Sequence, residues 1–282
     1  MAEKQTRGAV LITGASTGIG RACAEHLQRL GFTVFAGVRK QSDMDLLGEA
    51  GTHPLMLDVT ESESISSALR TVDEVAPLGL VGLVNNAGIA VGGPLEFVAI
   101  EEWRHQLEVN FIGQIAVIQA ALPALRRARG RIVNVTSIGG RLATPFLGPY
   151  NASKFALEAV TDALRLELHR FGIEVSAIEP GAVATPIWEK GRVSAEQVTA
   201  SMTPESLELY GTGIDALRNG ISQLERSGVP PLEVARAIEH ALLARRPKPR
   251  YVVGRDAKMR LAVSKLLPTR VMDRLVMRVM GL

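Results

Sequence analysis

The run Gly8-Ala-Val-Leu-Ile-Thr-Gly14-Ala-Ser-Thr-Gly18-Ile-Gly20 joins a short apolar segment to a glycine-rich turn and the start of a helix. Gly8 to Thr13 ends on Gly14 and reads as a buried strand. Arg21 to Leu30 carries a helical pattern that Gly31 stops. A strand turning on glycines into a helix leaves free backbone N–H groups and the positive dipole end at the helix start. A pyrophosphate is held at such a place, and glycine lets the backbone approach it closely. The spacing of Gly14, Gly18 and Gly20 is Gly-x-x-x-Gly-x-Gly rather than Gly-x-Gly-x-x-Gly.

Strands and helices alternate from there on. Thr33 to Val38 is a second strand and closes a βαβ unit. In dinucleotide-binding folds, an acidic residue about 20 positions past the glycines takes the ribose 2′-hydroxyl, whereas an arginine accommodates a 2′-phosphate. Here Arg39 and Lys40 follow the strand, which favours NADP(H) over NAD(H). Leu55 to Val59, with Asp58, is a third strand, and Glu61 to Val75 a helix. Leu80 to Ala87 is a fourth strand running into Asn85-Asn86-Ala87-Gly88. A long helical pattern, Ile100 to Arg127, contains Asn110 and, near its end, Pro123. Arg131 to Ser137 is a fifth strand, Glu174 to Ile178 a sixth before Glu179-Pro180-Gly181, and Arg250 to Gly254 a seventh, preceded by a helix from Pro230 to Leu243. The pattern predicts an α/β fold with a doubly wound parallel sheet of seven strands. Residues 1–254 read as one domain, with 255–282 as a short helical extension.

The stretch Tyr150-Asn-Ala-Ser-Lys154 opens a helical run, Ala152 to Phe171, with Gly172 as its stop. Positions four apart share a helix face, so the Tyr150 phenol and the Lys154 ammonium are neighbours. A phenol is a poor base at its ordinary pKa of about 10; a cation nearby favours phenolate, and a drop of about 3 units needs roughly 4 kcal/mol. The pair is a candidate for general acid/base work.

Composition bounds the partners. The single cysteine, Cys23, excludes an internal disulfide and a cysteine-based zinc site, and the five scattered histidines leave no metal cluster, so no metal is expected. The first seven residues contain no apolar leader, and the most apolar stretch, Ile112 to Leu125, is broken by Gln114 and Gln119. A cytoplasmic protein is expected. Charge is uneven: Ala241 to Leu282 carries eleven Lys or Arg against two Asp, a net +9, which leaves −6 of the overall +3 to the first 240 residues. Such a basic end fits either a solvated helix face or contact with an anionic surface. Nucleic acid is not an expected partner, since no aromatic residue follows Tyr251 for base stacking.

Taken in order, Thr13-Gly14-x-x-x-Gly18-Ile19-Gly20, Asp58, Asn85-Asn86-Ala87-Gly88, Asn110, Ser137, Tyr150-x-x-x-Lys154 and Pro180-Gly181 resemble the short-chain dehydrogenase/reductase family over about residues 8–185. The resemblance implies a Rossmann-type sheet and a tetrad of Asn110, Ser137, Tyr150 and Lys154. Tyr150 would exchange a proton with the substrate oxygen, Lys154 would lower its pKa and hold the nicotinamide ribose, and Ser137 would hydrogen-bond the substrate oxygen. Asn110 would hold a water that links Lys154 to solvent. Gly14, Ser16, Thr17, Gly18, Ile19 and Gly20 would surround the diphosphate, Asp58 and Val59 the adenine, and Asn86, Ala87 and Gly88 the adenosine side. Pro180, Gly181, Val183 and Thr185 would flank the nicotinamide. Members are commonly dimers or tetramers, so a homo-oligomer is expected.

The segment Pro186 to Gly228 would cover the substrate. Ile187 and Trp188 would line one wall and Val91, Leu142, Pro145 and Phe146 the other, an apolar pocket suited to a hydrophobic ketone or alcohol. Pro268 divides the tail, Met259 to Leu282, into two short amphipathic helices. The first expectation is an NADP(H)-dependent carbonyl reductase or alcohol dehydrogenase. The alternatives are NAD-dependent oxidation of a sterol- or retinoid-like alcohol and a nucleotide-sensing protein without turnover; an epimerase or dehydratase would need different glycine spacing.

Overall fold

Successive side chains of a strand point to opposite faces, and the first strand uses both. In β1 (Ala9–Ile12), Val10 and Ile12 enter one core while Ala9 and Leu11 enter another, and all four are buried. A strand apolar on both faces is the mark of a parallel sheet covered by helices on each side. The computed structural model describes residues 7–200 and 202–280. The N-terminal residues 1–6, read above for a leader, and residues 281–282 of the tail lie outside the described residues.

Seven parallel strands form one sheet in the order β3-β2-β1-β4-β5-β6-β7. The others are β2 (Thr33–Val38), β3 (His53–Met56), β4 (Leu80–Asn85), β5 (Arg131–Val135), β6 (Glu174–Pro180) and β7 (Arg250–Val253). The chain runs outward from β1 through β2 to β3, then returns to β4 on the other side of β1. That reversal opens a crevice beyond the carboxyl ends of β1 and β4, where ligands of open α/β sheets bind.

Helices α1 (Gly18–Arg29) and α9 (Pro231–Leu243) close one face; α3 (Ser62–Val75) and α5 (Gly113–Ala128) close the other. Fully buried Leu27 and Ile238 stand for the first core, Leu83, Ile118 and Ile132 for the second. Each such side chain contributes about 1.5–3 kcal/mol of burial. Cys23 lies in the first core, where burial pushes its thiol well above the usual range.

The expected doubly wound sheet is present, with local differences. The third strand begins at His53 and ends at Met56, not Leu55 to Val59. Pro54 sits in it because it is an edge strand. Leu57, Asp58 and Val59 are thereby released past the strand end. A helix α2 (Gln41–Glu49), which buries only Leu47, precedes it and was not anticipated. The long helix from Ile100 is interrupted: α4 (Ile100–Leu107) passes through a π turn, Glu108–Ile112, before α5. By length and composition Ile100–Ala128 could cross a membrane, yet Val117, Ile118, Ala121, Ala124 and Leu125 on it are buried in the second core.

Helix α6 (Gly148–Glu167) begins two residues before Tyr150, with Pro149 in its first turn, where the missing N–H costs nothing. The substrate-covering segment forms α7 (Ile187–Ala200) and α8 (Pro204–Ser227). The tail is two helices, α10 (Arg255–Leu266) and α11 (Thr269–Met280), divided at Pro268 as expected. Helix α11 rests on α8, with Met272, Val276 and Met280 half-buried and Val271, Leu275 and Val279 exposed.

Candidate active site

The glycine turn is bound to the end of β4. Asn86 Nδ2 donates to the carbonyls of Thr13 and Gly14, both at 3.0 Å, and the Thr13 hydroxyl accepts from the N–H groups of Asn86 and Ala87 at 3.0 Å each. Gly14 and Gly18 take left-handed φ of 64° and 55°. Gly20 works differently: a methyl group there would overlap the Gly14 carbonyl oxygen, so glycine lets α1 pack against the turn. Thr17 caps α1 without a side-chain hydrogen bond, and the first turn has no acidic residue. The N–H groups there remain directed at the cleft for an anion.

At the outer end of the cleft, the Arg39 guanidinium is 61% exposed and stands 3.9 Å from Asp58. Partial burial pushes the Asp58 carboxyl up, but hydrogen bonds from the Thr60 N–H (3.0 Å) and hydroxyl (2.8 Å), with the charges of Arg39 and His105, hold it below the usual carboxylate range.

At the inner end Ser137, Tyr150 and Lys154 converge. Their exposures are 8%, 8% and 4%, so substrate chemistry here is shielded from bulk water. Ser137 follows β5, and its hydroxyl accepts from the Gly139 N–H at 3.0 Å. Lys154 Nζ donates to the Val135 carbonyl at 2.9 Å and lies 5.9 Å from the centre of the Tyr150 ring. The expected lowering of the phenol pKa is not found in this state. Burial pushes Tyr150 up, against a hydrogen bond from Ser137, and burial brings Lys154 down to about 8 against the pull of Glu158. Desolvation, which penalises both ionised forms, outweighs the Ser137 hydrogen bond at Tyr150 and the Glu158 charge at Lys154.

Asn110 sits in the π turn and is fully buried. Its Oδ1 accepts from the Ile89 N–H at 2.8 Å, and its Nδ2 donates to the Ile89 carbonyl at 3.0 Å and the Ser153 hydroxyl at 3.2 Å. Both amide donors are thus used, so its side chain fastens the loop after β4 to α6.

Of the residues expected at the site, Gly14, Ser16, Thr17, Gly18, Ile19, Arg39, Asp58, Val59, Asn86, Ala87, Gly88, Ser137, Tyr150, Lys154, Pro180, Gly181, Val183, Thr185, Ile187 and Trp188 line this one cleft. Gly20, Asn110, Val91, Leu142 and Phe146 do not. Val91 is a core residue, 2% exposed, whose N–H bonds Gln106. Phe146 holds φ 62°, offers its carbonyl to the Gly93 N–H at 2.8 Å and packs beside Trp188 against Leu147 and Leu217. Leu57, Ile89, Val135 and Thr136 line the cleft unexpectedly; being next to strand ends was the only signal for them.

The tail reaches this cleft too. Asp256, in the first turn of α10, accepts from the Ala182 N–H at 3.1 Å, and a methyl group on Gly181 would overlap its carboxylate. Arg260 reaches Thr144, at 3.4 Å, on the loop after Ser137.

Closed glycine packing, anion-ready N–H groups and an exposed guanidinium at the far end fit a dinucleotide. The family model described as short chain dehydrogenase matches residues 8–195. An NADPH-dependent 3-dehydrocapnine reductase of Ornithobacterium rhinotracheale is 36% identical over 274 residues, 94% of each chain. Retinol dehydrogenase 5 of Homo sapiens is 38% identical over 274 residues, 94% of this chain and 86% of the relative. A solved short-chain dehydrogenase/reductase from Burkholderia phymatum, in complex with NAD, superposes with TM-score 0.78 at 25% identity, covering 97% of this chain and 96% of that one. The chain belongs to the short-chain dehydrogenase/reductase family of nicotinamide-dependent oxidoreductases acting on CH–OH or C=O groups.

Proposed function

We propose that the chain is an NADP(H)-dependent carbonyl reductase or alcohol dehydrogenase for a mostly apolar substrate, with Tyr150 as general acid/base. The observation that carries this reading is one cleft with Ser137, Tyr150 and Lys154 at its inner end and Arg39 at its outer end. The dinucleotide, when bound, supplies or accepts the hydride. Tyr150 then gives its proton to the carbonyl oxygen in reduction, or takes the alcohol proton in oxidation. Ser137 donates a hydrogen bond to the same oxygen as charge builds on it. Lys154, charged and buried beside the ring, limits the cost of phenolate. Arg39 and the N–H groups of the glycine turn hold the phosphates. Ile187 and Trp188 give the substrate end its apolar wall.

The similarity to a retinol dehydrogenase and to an NAD-bound structure supports a second reading, NAD-dependent oxidation of a sterol- or retinoid-like alcohol. A screen of apolar ketones and secondary alcohols with both dinucleotides, followed at the nicotinamide absorbance, tests the two. No turnover with any pair leaves a nucleotide-sensing protein as the better account.

Two contacts belong to this proposal. A second copy docks on the outer face of α5 and α6, where Ile112, Phe155 and Leu166 are 48%, 43% and 70% exposed beside a shallow groove. The patch is apolar and sits on adjacent helices, as a self-complementary two-fold interface requires. Leu166→Glu is expected to halve the mass measured by light scattering; an unchanged mass removes this face as the interface. An anionic membrane is the partner that α11 fits, since exposed Val271, Leu275 and Val279 accompany Arg270, Arg274 and Arg278. Deleting the residues after Leu267 is expected to abolish co-sedimentation with phosphatidylserine vesicles, and undiminished sedimentation discards the idea.

A further inference from the structure

Behind the catalytic helix lies a charge cluster with no part in the chemistry described above. Arg250 of β7 donates through Nε to Glu158 of α6 at 3.1 Å and through Nη2 to Asp162 of α6 at 2.6 Å, and its Nε also stands 3.1 Å from Glu179 of β6 as an ion pair. Arg141 reaches Glu179 from the solvent side at 2.9 Å, and Arg165 holds Asp162 at the exposed rim at 3.0 Å. Glu158 is 5% exposed and Glu179 fully buried, yet Glu158 Oε1 and Glu179 Oε2 have no hydrogen-bond partner. Two buried carboxylate oxygens left bare are costly, and a cluster that keeps them calls for an explanation.

Charge supplies one. Arg250 is shared among Glu158, Glu179 and Asp162, and the second cation, Arg141, goes to Glu179, so the buried Glu158 has only a share of one guanidinium. Glu158 stands one helical turn after Lys154, whose own hydrogen bond goes to a neutral carbonyl. We propose that Glu158 is a positioning residue: with Glu179 behind it, it is the counter-charge that keeps the buried Lys154 ammonium charged, so the alkaline limit of activity is set behind α6 and not in the cleft. This rests on Lys154 being the cation of the proposed reaction. The titratable and charged groups about Lys154 are Tyr150 and Glu158 of its own helix; Glu158 in turn meets Arg250 of β7, which also reaches Glu179 of β6, itself held by Arg141. Burial pulls the Lys154 pKa down and the Glu158 charge opposes it, in the sense the geometry requires. Asp162, Arg141 and Arg165 lie nearer water, where screening weakens them.

The sign follows. The ammonium is lost as pH rises through the Lys154 pKa, so removing its counter-charge brings that loss to lower pH. Glu158→Gln keeps the shape and an oxygen for Arg250. It is expected to move the alkaline limb of kcat down by about one pH unit while leaving kcat at its optimum within about threefold. Without dinucleotide or substrate, the Lys154 13Cε resonance in lysine-labelled protein is expected to titrate at a midpoint lowered by the same amount. Arg141→Gln uncovers Glu179 and is expected to move both readings upward; it remains decisive if Glu158→Gln does not fold. A purely structural role would cut activity equally at every pH and leave the resonance unmoved. Midpoints within about 0.2 unit of the parent protein in the folded variants overturn the inference. The resonance needs no turnover, so this failure is distinct from a failure of the proposed reaction itself.

Discussion

Tyr150→Phe is expected to lower kcat by about 10³-fold, the range that general acid/base catalysis supplies. That is about 4 kcal/mol of lost transition-state stabilisation. The ring keeps its buried place at the start of α6, so the dissociation constant of the dinucleotide, read by fluorescence quenching, should change by less than about threefold. Such a split between kcat and binding separates lost proton transfer from lost fold. A kcat within about threefold of the parent would end the assignment of Tyr150 as acid/base. The effect should be largest in reduction at neutral pH, because burial holds the phenol protonated there and it is the proton donor that phenylalanine lacks.

Arg39→Ala is expected to raise KM for NADPH by about 30-fold and to change KM for NADH by less than about threefold. A charge-assisted hydrogen bond to a 2′-phosphate contributes about 2 kcal/mol, and nothing on NADH takes its place. The variant also frees Asp58, which Arg39 faces at 3.9 Å, to accept from a ribose hydroxyl, and this works in favour of NADH. Initial rates with both dinucleotides decide it. Equal effects on the two would refute the 2′-phosphate role and favour the retinoid- or sterol-alcohol reading.

The order of strands and helices was legible because it depends on local pattern. Apolar runs ending in glycine or asparagine mark buried parallel strands, whereas α6 ends at Glu167, short of the expected Phe171, and Gly172, at φ 70°, stops the 3-10 turn His169–Phe171 that follows it. Most of the cleft's lining was equally legible, since it hangs on the strand ends. What stayed hidden depends on distant parts meeting. Nothing in the run Glu108–Ile112 marks a π turn; it accompanies the bonds of Asn110 to Ile89, twenty-one positions earlier. Arg250 lies ninety-two positions after Glu158, so the cluster behind Lys154 has no local signature. Spacing places a cation one turn from the phenol but does not reveal the burial that pushes its pKa up. Val91 and Phe146 show the same limit: apolar residues near a site are as readily core as wall.

Asp256 fills the space above Gly181 and accepts from the N–H of Ala182, while Arg260 meets Thr144 on the loop after Ser137. The C-terminal extension is therefore a buttress for the Gly181 wall of the cleft and no mere appendage. Proteolysis or a bulky fusion that lifts α10 would free Gly181 and the loop after Ser137 at once, and catalysis would fade before the sheet gave way. Truncations meant to isolate a membrane contact must accordingly stop short of this helix, as a cut after Leu267 does.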